Sequence, residues 1–108
     1  MNYKIELTDN FKREAKKLIK KYASLRSEIA EIGDLLSQNP TLGTPLGNDV
    51  YKVRISIASK NKGKSGGARI ITFVKIMNEA VYLLSIYNKG EKDSISDFEL
   101  KQLLESYL

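Results

Sequence analysis

The hydrophobic pattern of this chain changes period at residue 50, and that change limits the folds open to it. Before Val50 the apolar residues recur at helical spacing. In "TDNFKREAKKLIKKY", Phe11, Ala15, Leu18, Ile19 and Tyr22 stand at offsets of 0, 4, 7, 8 and 11, the stripe of an amphipathic helix with Thr8 or Asp9 as N-cap. Leu25, Ile29, Ile32 and Leu36 repeat the pattern until "QNP" at Gln38 to Pro40 stops it. A very short turn near Ala23 and Ser24 makes the pair an antiparallel helical hairpin. From Val50 the period is two. "VYKVRISI" sends Tyr51, Val53, Ile55 and Ile57 to one face and Lys52, Arg54 and Ser56 to the other.

Around these two blocks the remaining segments fall into place. "YKIEL" alternates and reads as a short first strand, and the Gly and Pro residues of "TLGTPLGNDV" mark a loop. "ARIITFVKI" and "AVYLLSIY" are strands joined by a tight turn at Met77 to Glu79, with apolar residues on both faces, as expected where a sheet is covered on both sides. "SISDFELKQLLESYL" is a closing helix: Ser96 and Glu99 have capping-box spacing, and Leu100, Leu103 and Leu104 form its apolar face. The predicted order is β-α-α-β-β-β-α. It describes an α+β fold in which a mainly antiparallel four-stranded sheet packs on an N-terminal helical hairpin and carries a C-terminal helix, with residues 1–108 forming a single domain.

The residue inventory limits the chemistry. Without cysteine or histidine the chain has no disulfide, thiolate ligand, Cys nucleophile or Ser-His pair, so catalysis would fall to Lys, Arg, Tyr, Ser, Thr or carboxylates. Neither a metal nor another cofactor is expected. "MNYKIELTDNF" lacks the features of a signal peptide, and no apolar run approaches a membrane span, so the expected location is the cytoplasm, away from the membrane. Net charge is +5, unevenly placed. From Val50 to Asn78 the chain carries Lys52, Arg54, Lys60, Lys62, Lys64, Arg69 and Lys75 and no Asp or Glu, a one-signed patch that attracts polyanions, nucleic acid first among them.

Within that patch "SKNKGKSGGARI" (Ser59 to Ile70), taken with Ala58, spells A-x-x-x-x-G-K-S, a loosened phosphate-loop signature. A phosphate loop requires a helix to begin at once, so that its positive end faces the anion. Here "GGARIITFV" is β-branched and enters a strand. The segment reads instead as a Gly-, Ser- and Lys-rich connection that carries Lys60, Lys62 and Lys64 and delivers Arg69 into the strand behind it.

The run "VYKVRI…GKSGGARIITF", followed by "YLLSIYNKGEKDSIS" and a C-terminal helix, resembles the RelE/ParE superfamily of bacterial type II toxins, closest to its HigB-like, mRNA-cleaving branch. That branch carries a G-K-x-G-G-x-R motif and an apolar strand ending in Y-x-K. The resemblance spans essentially the whole chain and implies a cytoplasmic toxin that cleaves messenger RNA in the ribosomal A site. Its partners would be messenger RNA, the ribosome and a cognate antitoxin with a helix-turn-helix domain. Carried over by position, Arg69 is the strand arginine beside the scissile phosphate, Lys89 the basic residue after the last strand, Arg54 a second RNA-contacting position and Lys64 the loop lysine. Tyr87 lies two residues before Lys89. Where family members keep a catalytic tyrosine past the last strand, this chain has only Tyr107, expected deep in the final helix.

Metal-free RNA cleavage proceeds by attack of a 2′-hydroxyl on its own phosphate. Arginine suits the phosphate because its planar fork holds two oxygens and stays charged. Arg69 therefore takes that role with Arg54 as second clamp, Lys89 and Tyr87 are the proton-transfer candidates, and Lys52, Lys60, Lys62, Lys64 and Lys75 are RNA-backbone contacts. Two rival classes stay open: a ParE-like, non-catalytic inhibitor of DNA gyrase, and a non-toxic nucleic-acid-binding module with a steep salt dependence.

Overall fold

A computed structural model describes residues 2–60, 67–92 and 94–108. Strand β1 (Lys4–Leu7) leads into helices α1 (Asp9–Lys21) and α2 (Leu25–Gln38). Four strands follow, β2 (Thr44–Gly47), β3 (Val50–Ile55), β4 (Ala68–Lys75) and β5 (Ala80–Asn88), and helix α3 (Asp97–Leu104) comes last. The five strands form one mixed sheet in the order β1-β5-β4-β3-β2, with β1 parallel to β5 and every other pair antiparallel. The α+β class, the helical hairpin and the C-terminal helix are as the sequence predicts.

The fifth strand is the difference. Thr44–Gly47 lies inside the stretch expected to be a loop, yet it pairs antiparallel with β3. The two-residue turn Asn48–Asp49 has φ of 54° and 64°, the left-handed conformation at both central positions that hairpins favour and Asn and Asp tolerate. All four residues of β2 are exposed, so the strand carries no burial pattern, and Pro45 is tolerated because the strand is a sheet edge.

The helices start where their caps allow. The Thr8 hydroxyl accepts from Phe11 N at 3.1 Å and donates to Leu83 O at 2.8 Å, so one buried side chain caps α1 and pins it to β5. Phe11, Ala15 and Leu18 of α1 and Leu25 and Leu36 of α2 are buried, while Ile19, Tyr22, Ile29 and Ile32 pack at the margin. Together they cover one face of the sheet, against Val53, Ile55, Ile70, Val74, Val81, Leu83 and Ile86. On the other face Val50, Ile71, Phe73, Leu84 and Tyr87 gather with Leu104, flanked by Leu100 and Leu103. Ser96 caps α3 by accepting from Glu99 N at 3.1 Å, while its own hydroxyl donates to Glu99 Oε1 at 3.3 Å. Strand β4 is consequently buried along seven of its eight residues, which explains the apolar run of "ARIITFV". No helix among the described residues is long and apolar enough to cross a membrane.

Candidate functional site

Three predicted site residues meet in one rank across the sheet. Arg54 of β3 stands directly opposite Arg69 of β4, and Arg69 stands opposite Tyr87 of β5. Directly opposed residues share a face, and strands lie ~4.8 Å apart, so the rank spans about 10 Å on the α3 side of the sheet. Arg54 is exposed, whereas Arg69 in the centre is 5 % exposed, and its Nη1 donates to Ala68 O at 3.1 Å. Burial therefore leaves the guanidinium fork partly desolvated where it faces the rank. Lys52, two residues from Arg54, is half-buried on the same face.

Gly67 explains why the motif needs a glycine here. A Cβ at Gly67 would lie 2.0 Å from Ile55 O, a separation that real side chains do not show, so the chain entering β4 runs against the backbone leaving β3. The Gly67 carbonyl accepts from Lys89 N at 3.0 Å, which places Lys89, half-buried, two residues beyond the Arg69–Tyr87 pair. Immediately after Gly67 the chain enters strand β4 and not a helix, in agreement with the rejection of a phosphate loop.

Past β5 the backbone turns around Asn88, a residue that the sequence reading did not single out. Its Oδ1 accepts from Gly90 N at 3.0 Å, and its Nδ2 donates to Tyr22 Oη and Glu91 Oε1, each at 3.3 Å. Its carbonyl accepts from Glu91 N and Lys92 N, each at 3.0 Å. Lys92 lies with Nζ 5.4 Å from the centroid of the Tyr87 ring and donates to Glu99 Oε2 at 2.7 Å. That hydrogen bond holds the Glu99 carboxyl below its ordinary value. Tyr87 is 5 % exposed and its hydroxyl oxygen is shut away from solvent.

The other predicted contacts divide. Lys62 and Lys64 lie outside the described residues, as does the side chain of Lys60, whose backbone ends a short turn at Ala58–Lys60. That turn is tied to the start of α2: Ala58 N donates to Glu28 Oε2 at 2.9 Å, and Ser59 N to Ser24 Oγ at 3.0 Å. Lys75 is not gathered with the rest. It sits six residues from Arg69, ~20 Å along β4, and its Nζ donates to Tyr107 O at 3.0 Å. Tyr107 falls just beyond α3 instead of deep within it, its ring 5.0 Å from that of Tyr82.

Comparison with known proteins places this arrangement. A family model for the RelE toxin of the RelE / RelB toxin-antitoxin system matches residues 3–106. An arginine-to-alanine double variant of the Escherichia coli toxin RelE in the free state superposes with a TM-score of 0.67 at 15 % identity, over 100 % of both chains. A chain of the intact E. coli RelBE toxin-antitoxin complex gives 0.62 at 17 %, over 80 % of this chain and 95 % of that one. A chain of the RelBE2 toxin-antitoxin complex from Mycobacterium tuberculosis gives 0.61 at 18 %, over 82 % and 99 %. At such identities the structural matches speak for the fold, and the family match speaks for descent.

Proposed function

The chain belongs to the RelE toxin family, and on that premise we propose that it is the toxin of a type II toxin-antitoxin pair, an endoribonuclease that cleaves messenger RNA in the ribosomal A site. The observation that carries this reading is the rank Arg54–Arg69–Tyr87, with Lys89 beside it. Arg69 holds the non-bridging oxygens of the scissile phosphate, and Arg54, exposed at the rim, takes the adjoining part of the backbone. The 2′-oxygen attacks the phosphorus and the bond to the 5′-oxygen breaks, leaving a 2′,3′-cyclic phosphate and a 5′-hydroxyl. One proton must leave the 2′-hydroxyl and one must reach the 5′-oxygen. Of the two candidate groups Lys89 reaches solvent as it stands, whereas the Tyr87 hydroxyl is covered, so Lys89 is assigned the proton transfer and Tyr87 the wall beside Arg69. Cleavage of free RNA is slow unless the ribosome orients the 2′-oxygen in line with the phosphorus. Lys52 and the lysines of residues 60–64 complete the backbone contacts.

A cognate antitoxin belongs to the same reading, supported by relatives solved as toxin-antitoxin complexes. Over the helical hairpin runs a groove of about 510 Å³ with Leu7, Phe11, Ala15, Ile19 and Ile29 in its floor. Its charged lining is entirely cationic, Lys12, Lys16, Lys20 and Arg26, which suits an acidic amphipathic segment of that antitoxin.

The test is expression in bacteria of the wild-type chain and of Arg69→Ala. Growth arrest with messenger RNA cut at A-site codons is expected from the first and lost from the second. Arrest and cleavage undiminished in Arg69→Ala would refute the assignment, and intact messenger RNA with gyrase-dependent DNA breaks would replace it with the non-catalytic reading.

A further inference from the structure

We infer that Glu14, together with Asn10, is a positioning residue: it clamps a bulge in β5 and thereby sets which face of the sheet Tyr87 occupies and where Lys89 falls. The catalytic consequence rests on the nuclease reading above; the geometry does not.

Along the end of β5 the pairing with β4 runs Arg69↔Tyr87, Ile70↔Ile86 and Ile71↔Ser85, and then jumps to Thr72↔Leu83. Leu84 is the extra residue, so two residues of β5 stand against Ile71, which defines a bulge. Its effect is visible in the burial. Before the bulge Tyr82 and Leu84 join the cluster under α3 while Leu83 joins the one under the hairpin; after it Ile86 lies under the hairpin and Tyr87 under α3. The phase of the alternation has changed. Were β5 regular in the register set by Leu83, Ile86 would stand opposite Arg69 and Tyr87 would point into the other core.

Hydrophobicity alone does not choose between these registers. "LLSIY" has no alternation of polar and apolar residues, and both faces of the sheet there are apolar enough to receive Ile or Tyr. What distinguishes the bulged register is the fate of its displaced polar groups. Glu14 Oε1 accepts from Ser85 Oγ at 2.7 Å and from Ile86 N at 3.3 Å. Asn10 Nδ2 donates to Glu14 Oε1 and to Leu84 O, each at 2.9 Å. The carbonyl of the first bulged residue, the hydroxyl of the second and the N–H of the next are all met by one i, i+4 pair on α1. Only a side-chain acceptor at position 14 serves this pattern, and a carboxylate taking three donors does so with charge-assisted bonds.

The test combines variants with two readouts. Glu14→Ala should lower single-turnover RNA cleavage by ~100-fold with RNA affinity nearly unchanged, since a misplacement of about 1 Å at the reacting atoms costs that much. Glu14→Gln keeps an acceptor oxygen and should stay within a few-fold of wild type. Deleting Ser85 takes one residue out of the bulge and leaves Leu84 opposite Ile71 with Tyr87 still opposite Arg69, so the clamp becomes dispensable. Glu14→Ala combined with that deletion should therefore recover the rate. Independently of any activity, NMR on labelled protein should show the cross-strand contact of Arg69 with Tyr87 in wild type and Glu14→Gln, and its replacement by a contact with Ile86 in Glu14→Ala. If the wild-type chain cleaves nothing, the nuclease reading fails and the NMR result alone decides this one. If Glu14→Ala does not fold, recovery of the fold on deleting Ser85 supports the clamp. A folded Glu14→Ala that keeps the Arg69–Tyr87 contact overturns it, as does a double variant that recovers neither fold nor rate.

Discussion

Gly67→Ala is the sharpest probe of how the sheet presents Arg69. The added Cβ would begin 2.0 Å from Ile55 O and must retreat to at least 3.0 Å, so β3 and the start of β4 have to separate by about 1 Å. The backbone pairing of β3 with the start of β4 would then open, the Arg54–Arg69 pair two residues on would strain, and the Lys89 N–Gly67 O bond on the opposite side, 3.0 Å in the native chain, would be pushed out of line. One lost backbone bond at ~1 kcal/mol and a comparable packing strain give a destabilisation of about 2–3 kcal/mol, or ~8–20 °C in Tm for a domain of this size. Gly33→Ala is the matched control. That glycine lies within α2 with nothing within 4 Å of the new Cβ, so the same change should stabilise by ~0.5–1 kcal/mol. Thermal unfolding by circular dichroism reads both, and A-site cleavage should drop ~100-fold in Gly67→Ala alone. A Tm within about 2 °C of wild type for Gly67→Ala would refute the close approach and with it the explanation of the motif's third glycine.

Three further outcomes are expected. Lys75→Met should leave cleavage within a few-fold of wild type, because the residue is ~20 Å from Arg69 and engaged with Tyr107 O; a roughly 10-fold fall would return it to the RNA path. The Lys92–Glu99 pair should follow the depressed Glu99 carboxyl. Its contribution is complete above the ordinary carboxylate value of ~4.3 and is lost as pH falls through the lower folded value, so Tyr87 ring shifts followed by NMR should move only in acid, and not at all in Glu99→Gln. Reversing the groove charges in Lys12→Glu/Lys16→Glu should weaken antitoxin binding at least ~10-fold in calorimetry while sparing cleavage, and unchanged affinity would place the antitoxin elsewhere.

What the sequence made legible depended on how many kinds of signal agreed. In α1 the apolar stripe and the cap point the same way, and Phe11, Ala15 and Leu18 are buried as expected. In β3 strict alternation put Arg54 outside and Val53 and Ile55 inside. Strand β2 escaped because an exposed edge strand needs no apolar residue, and Gly and Pro outweighed the Asn-Asp turn that marks its hairpin. Lys75 shares with Arg69 the acid-free run from Val50 to Asn78, but a run of like charge reports nothing of distance along a strand. Glu14, Asn10 and Asn88 were missed for a related reason. On a helix or at a turn they resemble ordinary solvated residues, and their partners on β5 or at the end of α1 lie 66 to 74 positions away.

The parallel pairing of β1 with β5 has a consequence for the order in which the protein comes into being. Lys4 finds Ala80 and Thr8 finds Leu83 only after most of the chain has been synthesised, whereas the hairpin α1–α2 can collapse on itself early. Loop-closure entropy must be met before these distant contacts repay it, so the first strand waits for the last. The carboxylate and amide of α1 are thus in place before the strand they grip exists. A ribosome making this chain holds an unfinished sheet until residues 80–88 have emerged, and the face that carries Arg54, Arg69 and Tyr87 is assembled only once that last strand is free to pair.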